Sequence, residues 1–180
     1  VTLGVCAEAL LHSPYVVDVS DSGQHDIDLD LAYENHPQKA ARHINDLYIE
    51  STNRQLAARG IKLECVNYAP QLYATPVELE VAHRQMVLYR RPWVVACPRS
   101  NMAARTVPAH IIGEAAKQIE GTVFWCSDQS APPGTVDLKV NKIRNLMAYI
   151  SMADLVLSVD SGPLHIAAGL KKPIVAVRQS

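Results

Sequence analysis

Several fingerprints of common protein classes are missing from this sequence. Neither G-x-G-x-x-G nor G-x-x-x-x-G-K-[ST] occurs, which argues against a standard NAD site and against a P-loop NTPase. Paired-histidine metal motifs and the G-x-S-x-G turn are absent as well. The short motifs therefore give no support to a dehydrogenase, a P-loop NTPase or a metal-binding protein.

Excess charge, long apolar runs and clustered cysteines are also missing. Lys plus Arg number 17 and Asp plus Glu 18, so the net charge of -1 gives no electrostatic reason to propose nucleic-acid binding. No apolar run approaches the ~20 residues that span a bilayer. The four cysteines, Cys6, Cys65, Cys97 and Cys126, are far apart and form no C-x-x-C pair, which disfavours a zinc site or a disulfide framework. A reducing, cytoplasmic setting is expected.

What is present is a substantial apolar core, since hydrophobic residues make up 48% of the chain. From Pro92 onward, short apolar runs that predict strands alternate with the three-to-four spacing that predicts helices. The predicted strands cover 93–97, 122–126, 136–140, 155–159 and 174–177, and the predicted helices cover 108–120, capped by Gly121, and a segment capped by Asn141. This alternation predicts the α/β class, with Rossmann-type parallel sheets and helices on both faces.

The first half of the chain is less regular, and the sequence predicts two partial domains. Residues 1–75 are expected to form a partial N-terminal α/β domain, 76–91 a linking helix, and 92–180 a second α/β domain. The linking helix is expected to begin with a capping box of Thr75 and Glu78. The other elements expected in the first half are a strand at 16–19, a helix at 38–59 closed by Gly60, and a strand at 61–66.

The segment Asp160-Ser161-Gly162-Pro163 follows a predicted strand and opens a short helix. Gly162 allows a backbone conformation that side chains forbid, and Pro163 suits the first helical turn. Unpaired N–H groups and the helix dipole favour a phosphate or diphosphate at this place. Asp160 is expected to bind hydroxyl groups or, alternatively, only to cap its own turn. His165, one turn further on, either faces the ligand or packs against a neighbouring loop.

Two other loops follow strands of the same predicted parallel sheet, so all three loops should open on one edge. Two arginines, two hydroxyls and an amide in the first loop, 98–106, can clamp a phosphate, although a solvated loop would also carry such residues. Polar residues in the second loop are expected to bind ribose hydroxyls. The candidates are Arg99, Ser100, Asn101 and Arg105 in the first loop, and Ser127 and Asp128 in the second. Together the three loops suit a nucleotide diphosphate.

The block from Ala153 to Ala168, with D-S-G-P-L-H-I-A-A at 160–168, resembles the donor-site signature of glycosyltransferase family 9, the heptosyltransferase-like enzymes. The segment 98–108 is similar to the family's phosphate-side loop, and the resemblance covers 92–177. It implies a GT-B fold in which 92–180, with its C-terminal part missing, binds a nucleotide-diphosphate sugar. It also implies metal-independent transfer of a heptose or other hexose to a glycan or glycolipid acceptor, without a cofactor.

The resemblance also implies roles for individual residues. Ser161 and Gly162 would donate backbone N–H groups to the diphosphate, while Asp160 would hold sugar hydroxyls and His165 would support that site. Arg105, with polar residues of the same loop, would neutralise the charge that builds on the leaving group. The lipopolysaccharide acceptors typical of the family imply a cytoplasmic protein that is peripheral at the inner membrane.

Two departures from the family pattern leave alternatives open. The family's N-terminal glycine-rich loop, which carries an acidic general base, has no match near Val1, so no catalytic residue is identified. The chain also stops at Ser180, where family members usually continue, as expected of a chain truncated at both ends. The alternative to a glycosyltransferase is therefore a non-catalytic, shortened binding or assembly domain, and a third hypothesis is a sugar-nucleotide epimerase.

Overall fold

The computed structural model describes residues 9–10, 12–14, 27–29, 31–65 and 69–177. The chain divides into two compact units, one drawn mainly from residues 20–69 and the other from residues 4–19 and 70–180. The strand expected at 16–19 lies outside the described residues. None of the helices in the described ranges is long and apolar enough to cross a membrane.

The first unit contains one α-helix among its described residues, α1 at Ile44–Leu56, which a 3-10 turn at Ala57–Arg59 continues. Gly60 closes this turn with a left-handed φ of 67°, as the sequence predicted. The helix begins later than the predicted residue 38, because the extended backbone of His43 caps it and the imidazole accepts an N–H of the first turn. The predicted helix was therefore too long at its N-terminal end.

The strand predicted at 61–66 does not form over its described residues, 61–65. The side chain of Asn53 accepts the N–H of Leu63 and donates to its carbonyl, at 2.7 and 2.9 Å. A side chain thus satisfies the backbone groups that a neighbouring strand would have satisfied. The prediction of a strand was wrong here, because the apolar run pairs with a helix side chain rather than with a sheet.

The second unit is built on a five-stranded parallel sheet. Its strands are β1 at Trp93–Cys97, β2 at Thr122–Trp125, β3 at Thr135–Asp137, β4 at Leu155–Val159 and β5 at Ile174–Val177. Its helices are α2 at Pro76–Met86, α3 at Ala109–Ala116, α4 at Ile143–Met152 and α5 at Gly162–Gly169. The strand order is β3-β2-β1-β4-β5, and every neighbouring pair is parallel. The predicted α/β class with a Rossmann-type parallel sheet is confirmed.

Helices cover both faces of the sheet. Trp93, Val95 and Cys97 of β1 join an apolar cluster with α2, α4 and α5. Val94 and Ala96 join a second cluster that includes residues of α3. All five residues of β1 are buried, as is typical of a central strand in a parallel sheet that is covered twice.

Helix α2, predicted as a link between domains, lies in the second unit and packs on α4. It begins with the predicted capping box, in which Thr75 and Glu78 satisfy each other's backbone N–H groups. The carboxylate of Glu78 also forms an ion pair with Arg144 of α4. The functional boundary between the domains stays a prediction.

Two predicted helix caps are wrong. Helix α3 ends at Ala116, well before Gly121, and Gly121 instead lies directly against the backbone of Pro92. The N-cap of α4 is Lys142 rather than Asn141, and no side chain makes a capping hydrogen bond there. At Gly121 the turn is set by the close approach of Pro92, which the local sequence does not encode.

Candidate functional site

The carboxyl ends of β1 and β4 lie side by side at the centre of the sheet. In the order β3-β2-β1-β4-β5, the strands that follow β1 are added first on one side of it, as β2 and β3, and then on its other side, as β4 and β5. The register places Cys97 opposite Ser158, so the segments that begin at Pro98 and Asp160 leave the sheet next to each other. In open α/β sheets, ligands bind in the crevice at this switch point. We call this region the switch-point edge.

Two side chains from different loops meet across the switch-point edge. Nη1 of Arg105 lies 3.2 Å from Oδ2 of Asp160, and both side chains are nearly half exposed. Among the described residues, the recorded contacts of Asp160 are ion pairs, and none is a hydrogen bond that caps its own turn. The structure thus brings together a predicted phosphate-binding cation and the predicted hydroxyl-binding carboxylate.

His165 faces solvent beside Asp160. Its side chain is 74% exposed, and Nε2 lies 3.9 Å from Oδ1 of Asp160. The imidazole is therefore not packed against another loop among the described residues, and its contact with a ligand stays a prediction. His165 lies one helical turn after the start of α5.

The start of α5 leaves backbone donors without partners. Ser161 is the N-cap, and its Oγ donates to the carbonyl of Val159 at 3.3 Å instead of capping the helix. Within the described part of the chain, the N–H groups of Ser161 and Gly162 have no recorded acceptor, whereas the N–H of Leu164 donates to Ser161. With the partial positive charge of the helix N-terminus, such donors suit an anion.

Gly162 serves a different purpose from the one the sequence predicted. Its φ is not in the left-handed region, which the structure reserves for Gly60 and Gly134 among the described glycines. The expectation of a conformation forbidden to side chains was therefore wrong. Apart from its chain neighbours and the backbone of its own helix, no heavy atom lies within 4 Å of the position that a Cβ would take at Gly162. The space beside this glycine is therefore open.

The loop after β1 closes on itself. The N–H of Val107 donates to the carbonyl of Pro98 at 2.9 Å, and a 3-10 turn at Ala103–Arg105 precedes it. The loop borders a cavity of about 490 Å³, lined by Arg99, Ser100, Asn101, Ala103, Thr106, Pro108 and Gln129. Three of the predicted residues therefore share one cavity, while Arg105 is paired with Asp160 beside it.

A buried tryptophan makes a hydrogen bond to the loop after β2. Nε1 of Trp125, which is fully buried, donates to the carbonyl of Gln129 at 2.9 Å. Asp128 forms an ion pair with Arg99, and the hydroxyl of Ser127 donates to Asp128 at 3.3 Å. Gln129 belongs to the polar segment 127–129, in which the sequence predicts an acidic or amide group for ribose hydroxyls, and it lines the cavity. The bond from Trp125 holds the backbone at this residue.

Cys97, the last residue of β1, is buried, and Cys126, which follows β2, is partly buried. A hydrogen bond with Cys97, together with burial, raises the pKa of Cys126 well above its ordinary value. Both cysteines are free and pack as small apolar groups. Within the described ranges, no group of His, Cys, Asp and Glu side chains is arranged to hold a metal ion.

The comparisons with known proteins point to one family. The sequence model of "Glycosyltransferase family 9 (heptosyltransferase)" matches residues 139–178, a narrower stretch than the predicted resemblance. This stretch includes residues 160–168, which carry the D-S-G-P-L-H-I-A-A sequence, but it includes neither the loop after β1 nor the loop after β2. A comparison with curated protein sequences returned no match.

Two solved structures share the fold. A glycosyl transferase family 9 protein from Veillonella parvula DSM 2008 superposes with a TM-score of 0.59 at 16% identity, over 76% of this chain and 44% of that one. The E. coli ADP-heptose lps heptosyltransferase II superposes with a TM-score of 0.52 at 23% identity, over 66% of this chain and 42% of that one. This chain therefore spans less than half the length of either structure. Residues 139–178 thus match the model of glycosyltransferase family 9, and the chain shares the α/β fold of the two solved structures.

Proposed function

We propose that this chain forms the donor-binding part of a glycosyltransferase. The reaction would move a heptose or another hexose from a nucleotide-diphosphate sugar to a glycan or glycolipid acceptor. One observation carries the proposal: Arg105 and Asp160 lie 3.2 Å apart across the switch-point edge, next to the N–H groups of Ser161 and Gly162. Asp160 also lies within residues 139–178, which match the family model. A diphosphate and a sugar need these two kinds of group next to each other.

Each group has a defined task in the proposed reaction. The N–H groups of Ser161 and Gly162 bind the diphosphate, and Arg105 turns from Asp160 to the phosphate oxygens. Because negative charge builds on the leaving diphosphate, a cation and a helix N-terminus aimed at it lower the barrier. This charge stabilisation is the reason for proposing transfer without a metal. Asp160 then accepts hydrogen bonds from sugar hydroxyls, and His165 contacts the same sugar.

The remaining candidates extend the site toward the nucleoside. Arg99, Ser100 and Asn101 line the cavity that would hold the nucleoside. Asp128, which pairs with Arg99, and the neighbouring Ser127 would bind the ribose hydroxyls. The named activity of the E. coli structure makes ADP-heptose the first donor to test and a lipopolysaccharide core the first acceptor. A cytoplasmic location, with the acceptor at the inner membrane, is part of the same proposal.

Substitution of Arg105 by methionine tests the diphosphate role. Methionine keeps an unbranched apolar stem but removes the guanidinium charge, so we expect the affinity for ADP to fall about tenfold, the usual size of a charge-assisted hydrogen bond. Isothermal titration calorimetry of the full chain with ADP measures this. Arg84→Met is the matched control, because Arg84 pairs with Glu80 on the exposed surface of α2. Equal affinity of Arg105→Met and the parent chain would contradict the proposal.

Substitution of Asp160 by alanine should separate sugar binding from diphosphate binding. In the free protein Asp160 neutralises Arg105, so its removal should leave the affinity for ADP unchanged or raise it. The affinity for an ADP-sugar should fall, because the sugar hydroxyls lose their acceptor. The measured quantity is the ratio of the two dissociation constants. A parallel loss of both affinities would show that Asp160 does not act on the sugar.

One observation favours the non-catalytic alternative. The two carboxylates of the switch-point edge and its neighbouring loop, Asp160 and Asp128, are each paired with an arginine, so neither is placed as a general base. A binding or assembly domain predicts tight binding of ADP-sugars without release of ADP. A turnover assay with ADP-heptose and a lipopolysaccharide-core acceptor therefore distinguishes the two functions. Failure to bind any of a panel of nucleotides and nucleotide sugars would overturn both.

A further inference from the structure

Thr106 ties together the two ends of the loop that carries Arg105. Its Oγ1 accepts the N–H of Ser100 at 3.2 Å and donates toward the carbonyl of the same residue, also at 3.2 Å. The carbonyl of Met102 lies 3.5 Å from the same hydroxyl. A single side chain thus satisfies both backbone groups of a residue six positions earlier, as a neighbouring strand would.

These bonds hold the backbone on both sides of Arg105. Its N–H donates to the carbonyl of Met102 at 3.0 Å, and the N–H of Thr106 donates to that of Ala103 at 3.0 Å. Arg105 is therefore the last residue of a closed 3-10 turn. Two sets of bonds hold that turn to the segment after β1: the backbone bond from Val107 to Pro98, and the bonds of the Thr106 hydroxyl to Ser100. Only the arginine side chain leaves the turn, and it reaches Asp160.

We infer that Thr106 is a positioning residue that acts through Arg105 and so sets the affinity of the site for the diphosphate part of its ligand. The inference rests on the proposed function. A hydroxyl is required because the position must both accept from an N–H and donate to a carbonyl. Valine has nearly the same shape but can do neither, whereas serine can do both.

The first test compares three variants for ADP binding by calorimetry. Thr106→Val should bind ADP about tenfold more weakly, because two loop hydrogen bonds of ordinary strength are lost. Thr106→Ser should restore the affinity to within about twofold of the parent chain. Thr122→Val is the matched control. It removes a hydrogen bond from a threonine hydroxyl to the carbonyl of Arg90, but at the start of β2, the end of the strand away from the switch-point edge. Parent-like affinity of Thr106→Val would overturn the inference.

A double-mutant cycle tests whether Thr106 acts through Arg105. In an Arg105→Met background, Thr106→Val should cause no further loss of ADP affinity, because the group it positions is already gone. Additive losses would show that Thr106 acts on the ligand by another route and would overturn the inference. Adenosine, which lacks phosphates, should bind the parent chain and Thr106→Val equally.

Thermal unfolding separates a failed fold from a failed site. Thr106→Ala serves as a second variant if Thr106→Val does not fold. If neither folds, Thr106 is a structural residue and the inference is overturned. Failure of the parent chain itself to bind ADP would count against the proposed function, whereas normal binding by the parent and by Thr106→Val would count against Thr106 alone.

Discussion

Replacement of Glu78 by alanine should lower the free energy of unfolding by about 3 to 5 kcal/mol, the usual cost of leaving a buried charge without its partner. Nε of Arg144 donates to Oε1 of Glu78 at 2.7 Å, and a second guanidinium nitrogen donates to Oε2. Arg144 is only 7% exposed, and its third nitrogen donates to the carbonyl of Tyr73 at 3.0 Å. Without Glu78, the bond to the carbonyl of Tyr73 still holds the guanidinium in its buried place, where the charge has lost its partner. Urea denaturation of the variant measures the loss.

Glu80→Ala is the matched control on the same helix. Glu80 pairs with Arg84, and the two side chains are 61% and 75% exposed. Exposed pairs of this kind contribute about 0.3 to 0.5 kcal/mol, so this variant should unfold almost like the parent chain. Equal losses in the two variants would mean that the Glu78 pair contributes no more than a surface pair.

The pH dependence of the same comparison provides an independent check. Burial alone would raise the pKa of Glu78, but hydrogen bonds from Arg144 and Thr75 outweigh it and lower the pKa from 4.5 to about 2. Because the folded pKa is depressed, the stabilisation is complete above pH 4.5 and is lost as the pH falls toward 2. The difference between the parent chain and Glu78→Ala should therefore shrink over this range. A constant difference would contradict the assigned ionisation.

Replacement of Gly121 by alanine should cost about 3 kcal/mol of unfolding free energy, at the upper end of overpacking effects. A Cβ at this position would lie 2.2 Å from the carbonyl oxygen of Pro92 and 2.8 Å from its nitrogen. The obstacle is backbone, so no side chain can rotate away. The same carbonyl accepts the N–H of Thr122 at 2.9 Å, so any shift also disturbs the start of β2. The midpoint of urea denaturation reports the change.

Gly162→Ala is the control for this substitution. Nothing lies within 4 Å of its added Cβ, and its φ lies outside the left-handed region, so the methyl group meets no atoms and no strained backbone. Its unfolding free energy should stay within about 0.5 kcal/mol of the parent value, typical of a surface substitution. An equally small loss of unfolding free energy in Gly121→Ala would contradict the close contact between Gly121 and the backbone of Pro92.

Much of the second unit was predictable because its signals are local. The apolar runs at 93–97 and 155–159 became β1 and β4, since each run is bounded by residues that end strands. Thr75 and Glu78 are three positions apart, which suffices for a capping box. Alternation of strands and helices then predicts a parallel sheet, and a parallel sheet places all of its following loops on one edge.

The errors share a physical cause. Residues 61–65 have a strand-like composition, but Asn53 of α1 satisfies the backbone that a strand would have paired. The glycine at 121 was predicted as a helix cap, yet its role is to admit the backbone of Pro92. In each case the deciding contact comes from a distant part of the chain, which no short window contains.

The sequence by itself determined the α/β class of the second unit and the strands that build it, and it predicts the loops at which a ligand would bind, because periodicity and turn residues act over a few positions. Only the tertiary structure decided that Arg105 pairs with Asp160, that Thr106 holds the loop that carries Arg105 and that Gly162 is open rather than strained. The pairing of Arg105 with Asp160 depends on β1 and β4 lying next to each other, although they are far apart in the chain. Which strands become neighbours is settled by the packing of the whole sheet.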